Sequence, residues 1–269
     1  MDVNHYLELV RKNQPLVHHI TNWVTIYDCA QVVKSFGASP VMAHAAEESA
    51  DMALISSSLV LNIGTLTPEL IESMNSAVLC ANKRGIPVLL DVCGAGATGF
   101  RDRMCFKLID ETRIDIIKGN ASEVARIAGA DVRTKGVDSG DVSGDLVKIA
   151  TGLAVERDCT VIITGKDDII TDGKKCITVS NGHELMSHVV GTGCMAASVA
   201  GTFAAVDPGN IVEASAAGLC CLGIAAELAV SLGNGPGSFK GFLFDAIYSL
   251  DRAHVDKMKR TGECAVTIL

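Results

Sequence analysis

Residues 86–92 of this chain read IPVLLDV, and the chain continues into the glycine-rich stretch CGAGATG at 93–99. A short, nearly all-apolar run of this kind predicts a β-strand covered on both faces, which is typical of a parallel sheet. Asp91 then lies at the end of the strand, where open α/β sheets bind their ligands. This one stretch therefore predicts both the class of fold and the place of a site.

Four further runs of the same kind occur along the chain, at 16–21, 58–64, 114–119 and 159–165. Helical stretches are predicted at 68–85 and 121–129, and each ends at a glycine suited to a helix C-cap. Strands that alternate with helices predict an α/β fold whose central sheet is mostly parallel.

The pattern changes after residue 165. Two alternating runs surround Asp172-Gly173, which predicts an antiparallel hairpin that extends the sheet. The last hundred residues are mainly helical, with helices predicted at 195–206, 211–231 and 239–258. Because no linker or internal repeat interrupts the chain, we expect a single domain over residues 1–269.

Composition excludes several classes of protein. Of the 269 residues, 48% are hydrophobic and 20% are charged, which excludes a disordered chain. The most apolar stretch, 214–230, is shorter than a bilayer span and includes Glu227, so a buried helix is expected and no membrane contact. The net charge of −8 and the lack of clustered Lys and Arg argue against nucleic acid as a partner.

The N-terminus and the cysteines indicate the cellular compartment in which the protein is expected. No apolar run precedes a cleavage site near residue 1, so no secretory signal is predicted. The ten cysteines show neither a CxxC pair nor a regular repeat, which favours free thiols in a reducing cytoplasm over disulfides or zinc.

Three places in the chain carry chemistry-bearing residues after an apolar run: Asp91, the pair Asn120 and Glu123, and GTGC at 191–194, which follows ELMSHVV at 184–190. Each has a plain structural alternative. Asn120 and Glu123 would form a helix capping box, the glycines would serve helix packing, and Asp91 would begin a loop. Together, however, they are the parts that hold a magnesium-bound polyphosphate beside an acceptor alcohol.

Two other nucleotide-binding patterns are disfavoured. No GxxxxGK[ST] motif occurs in the chain, which argues against a P-loop kinase. The stretch GAGATG at 94–99 precedes no clear step of about 20 residues to a ribose-binding acid, so a dinucleotide-binding fold is only weakly supported.

The sequence resembles the hydroxyethylthiazole kinase family of the ribokinase-like superfamily. The segments that carry the resemblance are PLVHHITNWVT (15–25), GASPVMAHAAEE (37–48), LVLNIGTL (59–66), PVLLDVCGAGAT (87–98), KGNASEV (118–124), ITGKDD (163–168), GTGC (191–194) and GPGSF (235–239). The resemblance implies a ribokinase-like three-layer α/β/α fold with a mostly parallel central sheet. It also implies a homotrimer with active sites at the subunit contacts.

The activity implied is ATP-dependent phosphorylation of the primary alcohol of 4-methyl-5-(2-hydroxyethyl)thiazole in thiamine biosynthesis or salvage. The residues that would hold the thiazole are Asn22, Met42 and Gly191. The residues that would contact ATP are Lys118, Asn120 and Thr164.

The resemblance assigns the metal and the catalytic turn as well. Asp91 and Glu123 would organise Mg²⁺, directly or through water. An anion hole would be formed by Gly191, Thr192, Gly193 and Cys194. Cys194 stands where related sugar kinases use an Asp as general base. A thiol is a poor base at its ordinary pKa near 8.5, although a helix N-terminus favours its thiolate.

Four residues depart from the usual family pattern: Trp23, Val92, Lys118 and Val190. Lys118 stands where Arg is frequent, so it keeps the charge but loses the two-pronged geometry for phosphate. Two alternatives therefore stay open. One is a kinase of another vitamin-precursor alcohol, hydroxymethylpyrimidine or pyridoxal, and the other is a catalytically silent sensor of thiazole or nucleotide.

Overall fold

The computed structural model describes residues 1–129, 143–233 and 235–266. Within them nine strands form one sheet. The strands are β1 (Leu16–Ile20), β2 (Ser39–Val41), β3 (Ser58–Asn62), β4 (Val88–Asp91), β5 (Ile116–Asn120), β6 (Thr160–Thr164), β7 (Asp168–Thr171), β8 (Cys176–Val179) and β9 (Thr261–Glu263).

The helices follow the strands in alternation and then dominate the C-terminal part. They are α1 (Val3–Asn13), α2 (Ile26–Ser35), α3 (Ser49–Ile55), α4 (Pro68–Arg84), α5 (Gly99–Glu111), α6 (Ala121–Ile127), α7 (Ser143–Arg157), α8 (Thr192–Ala204), α9 (Ile211–Val230), α10 (Pro236–Ser249) and α11 (Arg252–Met258).

The sheet is mostly parallel. Its strand order is β2-β1-β3-β4-β5-β6-β7-β8-β9. The six strands from β2 to β6 pair in parallel, while β7, β8 and β9 add antiparallel strands at one edge. The five predicted buried strands and the hairpin at Asp172-Gly173 are confirmed.

Helices cover both faces of the sheet, as the apolar strands predict. Along β4, Leu89 packs into one core cluster, whereas its neighbours Val88 and Leu90 pack into the other. The first cluster draws on α1, α2, α8, α9, α10 and α11, and the second draws on α3, α4, α5, α6 and α7. The predicted three-layer α/β/α architecture is therefore confirmed.

The apolar helix α9 belongs to the core. It spans 20 residues and is long and apolar enough to cross a membrane, so the argument from insufficient length is wrong. Burial decides the matter instead, because 78% of its most apolar stretch lies inside the protein. Among the described residues it is the one helix with the length and hydropathy of a membrane span.

Two predicted elements differ from the structure. The helix predicted at 239–258 is two helices, because Leu250 is extended and the Asp251 side chain accepts a hydrogen bond from the His254 amide to begin α11. The run 184–190 before GTGC holds a 3₁₀ helix, Glu184–His188.

The expectation that every cysteine is a free thiol is wrong for two of them. Cys176 in β8 and Cys264 after β9 form a disulfide, with a Cα–Cα distance of 5.2 Å. They are 88 residues apart, so their spacing in the sequence gave no sign of a pair. The antiparallel pairing of β8 with β9 brings them together. The other eight cysteines are free.

Close packing of α9 predicts a contrast between two glycines. A Cβ at Gly223 would lie 2.5 Å from the backbone C and O of Asn181, whereas one at Gly241 on α10 would meet nothing within 4 Å. Gly223→Ala should lower the free energy of unfolding by about 1–3 kcal/mol. Gly241→Ala should raise it by about 0.5–1 kcal/mol, since alanine favours a helix interior. Urea unfolding measures both, and equal effects would contradict the packing described.

Candidate active site

Polar residues line up at the carboxyl edge of the parallel strands. The register pairs Asn62 of β3 with Asp91 of β4, and Asp91 with Lys118 of β5. Residues at the same register position point to the same face, so three polar side chains stand side by side where a solely structural sheet would carry apolar ones. All three are buried. The strand ends thus build one compact polar cluster.

Lys118 and Asp91 form a buried ion pair within this cluster. The Lys118 Nζ lies 3.4 and 3.5 Å from the two carboxylate oxygens of Asp91, and it also donates to the Gly193 carbonyl at 3.0 Å. Burial raises the pKa of Asp91, while the Lys118 charge opposes that shift. Burial would lower the pKa of Lys118, but Asp91 and Glu123 raise it above its ordinary value, so the ammonium stays charged.

Cys194 receives hydrogen bonds from several donors. The side-chain amides of Asn22 and Asn62 donate to its Sγ at 3.3 and 3.4 Å. The pKa of Cys194 is lowered, first by the hydrogen bond from the Cys93 thiol, against the opposing effect of burial. Lys118 and Thr25 lower this pKa further. The arrangement therefore favours a thiolate at the start of α8.

The turn before α8 depends on a glycine. Gly191 has a φ of +98°, and a Cβ there would lie 2.9 Å from Cγ2 of Thr25. The Thr192 hydroxyl donates to the carbonyls of Met186 and Val189, which ties the turn to the preceding 3₁₀ helix. The side chain of Thr192 is thus used within the protein. The backbone N–H groups of the first turn of α8 have no intrahelical acceptor, so they are available to bind an anion.

Asn120 and Glu123 form the capping box that the sequence allowed. The Asn120 side chain accepts from the Glu123 amide, and Oε2 of Glu123 accepts from the Asn120 amide at 2.8 Å. The second oxygen, Oε1, accepts from the Gly94 amide at 2.7 Å. Glu123 therefore joins the start of α6 to the glycine-rich loop after β4, and its charge contributes to the raised pKa of Asp91.

A cleft of about 1070 Å³ opens beside this cluster. Four of the sequence-predicted residues line it: Asn120, Thr164, Thr192 and Gly193. Residues 180–184 and part of α9 also line it. A cleft of this volume accommodates a nucleotide, and the α8 turn forms part of its wall.

Two site residues were missed in the sequence. Asp168 lines the cleft, accepts a hydrogen bond from the Gly165 amide at 3.0 Å, and has its pKa raised by burial to about 7. Its signal was the second acid of ITGKDD. Asn62 lies at the centre of the polar cluster. The only sequence signal for it was a polar residue that ends a buried run.

Met42 stands apart from the cluster. It is half-buried and follows β2, the strand at the edge of the sheet. The strand β1 lies between β2 and the strands that carry Asn62 and Asp91. The structure therefore places Met42 outside the contacts that surround Cys194.

The remaining departures from the family pattern lie in different surroundings. Val92 is fully buried and packs against Gly119. Trp23 is mostly exposed and stacks on His44, with ring centroids 4.7 Å apart. Val190 is also exposed and directly precedes Gly191. Trp23 and Val190 thus lie at the surface near the site, while Val92 belongs to the core.

The fold is that of the ribokinase-like class. A ribokinase-like superfamily protein from Enterococcus faecalis V583 superposes with a TM-score of 0.63, covers 92% of this chain and 89% of that one, and at 12% identity shares the fold. The model of the hydroxyethylthiazole kinase family matches residues 7–253. The chain belongs to that family, as its sequence predicts.

Two members illustrate the similarity. The hydroxyethylthiazole kinase of Methanosarcina mazei is 53% identical over 257 residues, which cover 96% of this chain and 98% of that protein. The solved structure of hydroxyethylthiazole kinase from Pyrococcus horikoshii OT3 has a TM-score of 0.89 and 37% identity, with 98% of this chain and 99% of that one covered.

The lowered pKa of Cys194 predicts selective alkylation. At pH 6.5 iodoacetamide should modify Cys194 faster than Cys80, a half-exposed thiol on α4 outside the site, because the thiolate is the reactive form. Peptide mass spectrometry over time measures both rates. Raising the pH toward 9 should narrow the difference. Equal rates at pH 6.5 would mean that the Cys194 thiolate is not stabilised.

Proposed function

We propose that this protein transfers the γ-phosphate of ATP to the primary alcohol of 4-methyl-5-(2-hydroxyethyl)thiazole. The observation that carries the proposal is the convergence of Asp91, Lys118 and Cys194 at the α8 turn, directly beside the cleft. Family membership supplies the substrate class, since the relatives are named hydroxyethylthiazole kinase. We propose that residues 1–269 act as one cytoplasmic kinase domain in thiamine biosynthesis or salvage.

ATP would occupy the cleft with its phosphates toward the α8 turn. Asn120 and Thr164 line the cleft and would contact the nucleotide. Lys118 lies behind the turn, where its charge favours a phosphate. The N–H groups of Gly193 and Cys194 would stabilise the transferring group, because a helix N-terminus is positive and those groups cost no reorganisation.

Asp91 and Glu123 would hold Mg²⁺. They fit this ion because Mg²⁺ prefers one or two carboxylates completed by substrate phosphates and water. Within the described residues no group of three or more His, Cys, Asp or Glu side chains could hold a metal ion, so substrate phosphates and water would have to complete the coordination. Bound Mg²⁺ would neutralise charge on the phosphates. Both oxygens of Glu123 accept backbone hydrogen bonds and keep lone pairs for a metal-bound water.

On the acceptor side, Cys194 would take the proton of the attacking hydroxyl. The hydrogen-bond donors at its Sγ favour the thiolate, so Cys194 would be available as a base. Because the same donors stabilise the thiolate, it would be a weak base. Weak base assistance suffices, because phosphoryl transfer depends mainly on positioning and charge stabilisation. Asn22 holds Cys194, while Gly191 would border the thiazole. Met42 would border the ring from the edge of the sheet, outside the contacts around Cys194.

We propose that the protein acts as a homotrimer with active sites at the subunit contacts. Trp23, Val24 and Tyr27 are exposed large apolar side chains on one short stretch. The exposed Val190 lies beside them, because Gly191 packs against Thr25. An apolar patch of this kind marks an interface, and this one borders the acceptor side of the site.

The first experiment measures alcohol-dependent release of ADP by purified protein with ATP and Mg²⁺. The expected result is turnover with the thiazole, with a higher kcat/KM than for hydroxymethylpyrimidine or pyridoxal. Asp91→Asn should lower kcat at least 100-fold, since the metal and Lys118 lose their shared carboxylate. Turnover on another of the three alcohols alone would reassign the substrate. Tight binding without product would favour the sensor instead.

The second experiment measures the mass in solution by size-exclusion chromatography with light scattering. The wild type should have three times the mass of one chain. Val24→Glu should dissociate it, because the side chain is 67% exposed in the patch. Val155→Glu on α7, across the sheet and 55% exposed, is the matched control and should leave the mass unchanged. A monomeric wild type would overturn the proposed assembly.

A further inference from the structure

Asn62 uses its entire side-chain amide within the polar cluster. Its Nδ2 donates to Oδ2 of Asp91 at 2.8 Å and to Sγ of Cys194 at 3.4 Å. Its Oδ1 accepts from Nδ2 of Asn22 at 3.0 Å and from the Gly64 amide at 2.9 Å. One side chain thus touches a residue from each group assigned above: the acceptor side, the base and the metal.

The position of Asn62 argues against a purely structural role for its side-chain amide. It is 1% exposed, at the end of β3. Val60, two residues earlier on the same face, packs in the apolar core cluster that contains α8. An apolar residue would serve such packing, whereas a buried amide is costly unless all its hydrogen bonds are made. At this position the amide makes all its hydrogen bonds to residues of the site and of the adjoining turn.

The surroundings of Asn62 hold it rigidly. A Cβ at Gly64 would lie 3.0 Å from Oδ1 of Asn62 and 3.1 Å from Cβ of Asn22, so the turn after β3 closes directly on both side chains. The Arg101 guanidinium donates to the carbonyls of Ile63 and Gly64 at 2.8 Å each. This turn therefore has two anchors, one from the cluster and one from α5.

We propose that Asn62 is a positioning residue that fixes the acceptor side, Asn22 and Cys194, relative to the phosphate side, Asp91. The inference rests on the proposed phosphotransfer and adds a residue to it. Transfer requires the hydroxyl and the γ-phosphate to meet in line, and a misplacement of about 1 Å costs on the order of 100-fold in rate. Asn62 connects the two sides because it donates one hydrogen bond to Asp91 and one to Cys194.

The test compares Asn62→Ala and Asn62→Asp with Asn4→Ala. Asn62→Asp keeps the size and the acceptor for the Gly64 amide but, when ionised, donates to neither Asp91 nor Cys194. Asn4 is a matched control, because it is also buried and its amide donates to a carboxylate, that of Asp256, at the same 2.8 Å. It lies on α1, outside the cluster.

Both Asn62 variants should lower kcat about 100-fold, raise KM for the alcohol about tenfold and leave KM for ATP within threefold of wild type. The KM for ATP should change less than the KM for the alcohol because Asn62 does not line the nucleotide cleft. Asn4→Ala should leave all three constants within twofold. Thermal unfolding should place Asn62→Ala below Asn4→Ala, since Asn62→Ala loses four side-chain hydrogen bonds and Asn4→Ala loses one.

Three outcomes would overturn the positioning role. They are a kcat within threefold of wild type in either folded Asn62 variant, a KM for ATP that rises as far as kcat falls, and failure of both Asn62 variants to fold while Asn4→Ala folds. Wild-type turnover, measured first, separates this inference from the proposed function. If the wild type phosphorylates none of the three alcohols, both fail, whereas normal wild-type turnover with unaffected variants removes the role of Asn62 alone.

Discussion

The buried pair between Lys118 and Asp91 is the interaction on which the site depends. Two charges removed from water cost several kcal/mol each unless they are paired and hydrogen-bonded, and loss of one partner typically costs about 3–5 kcal/mol. Here Asn62 satisfies the carboxylate, and Lys118 also donates to the carbonyl of Gly193. The pair therefore fixes the start of α8 on the sheet. Lys118 and the N-terminus of α8 thus place positive charge at the site, although the net charge of the chain is −8.

Glycines in α8 and α9 let these helices approach the strands and each other. A Cβ at Gly201 would meet Val60 of β3 at 2.4 Å, and one at Gly218 would meet the ring of Phe203 at 2.9 Å. Larger residues at these positions would push α8 away from the sheet, and the bond from Lys118 to the α8 turn would lengthen. The glycines of the helical layer thus contribute to the geometry of the site as well as to packing density.

Elements set by local chemistry could be predicted from the sequence, and those set by distant contacts could not. The five buried strands are apolar on both faces, so their runs stand out. β2 and β9 have three residues each and lie at the edges, where too little pattern exists to detect. The capping box at Asn120 is local and was found. Asn62 was missed because its partners Asn22, Asp91 and Cys194 are 29 to 132 residues away.

The thiol at Cys194 places a physical limit on how the site works. Every donor that stabilises the thiolate also weakens it as a base, because the same hydrogen bonds hold the electron pair that would accept the proton. The side chains of Asn22 and Asn62 donate to this sulfur, so in the proposed mechanism proton abstraction would contribute little to the rate. In the proposed mechanism, the transfer would then depend on alignment and on stabilised charge at the α8 turn. Because alignment would carry the rate in that mechanism, the residues that hold Cys194 and Asp91 in place would matter as much as the residues that touch the reacting atoms.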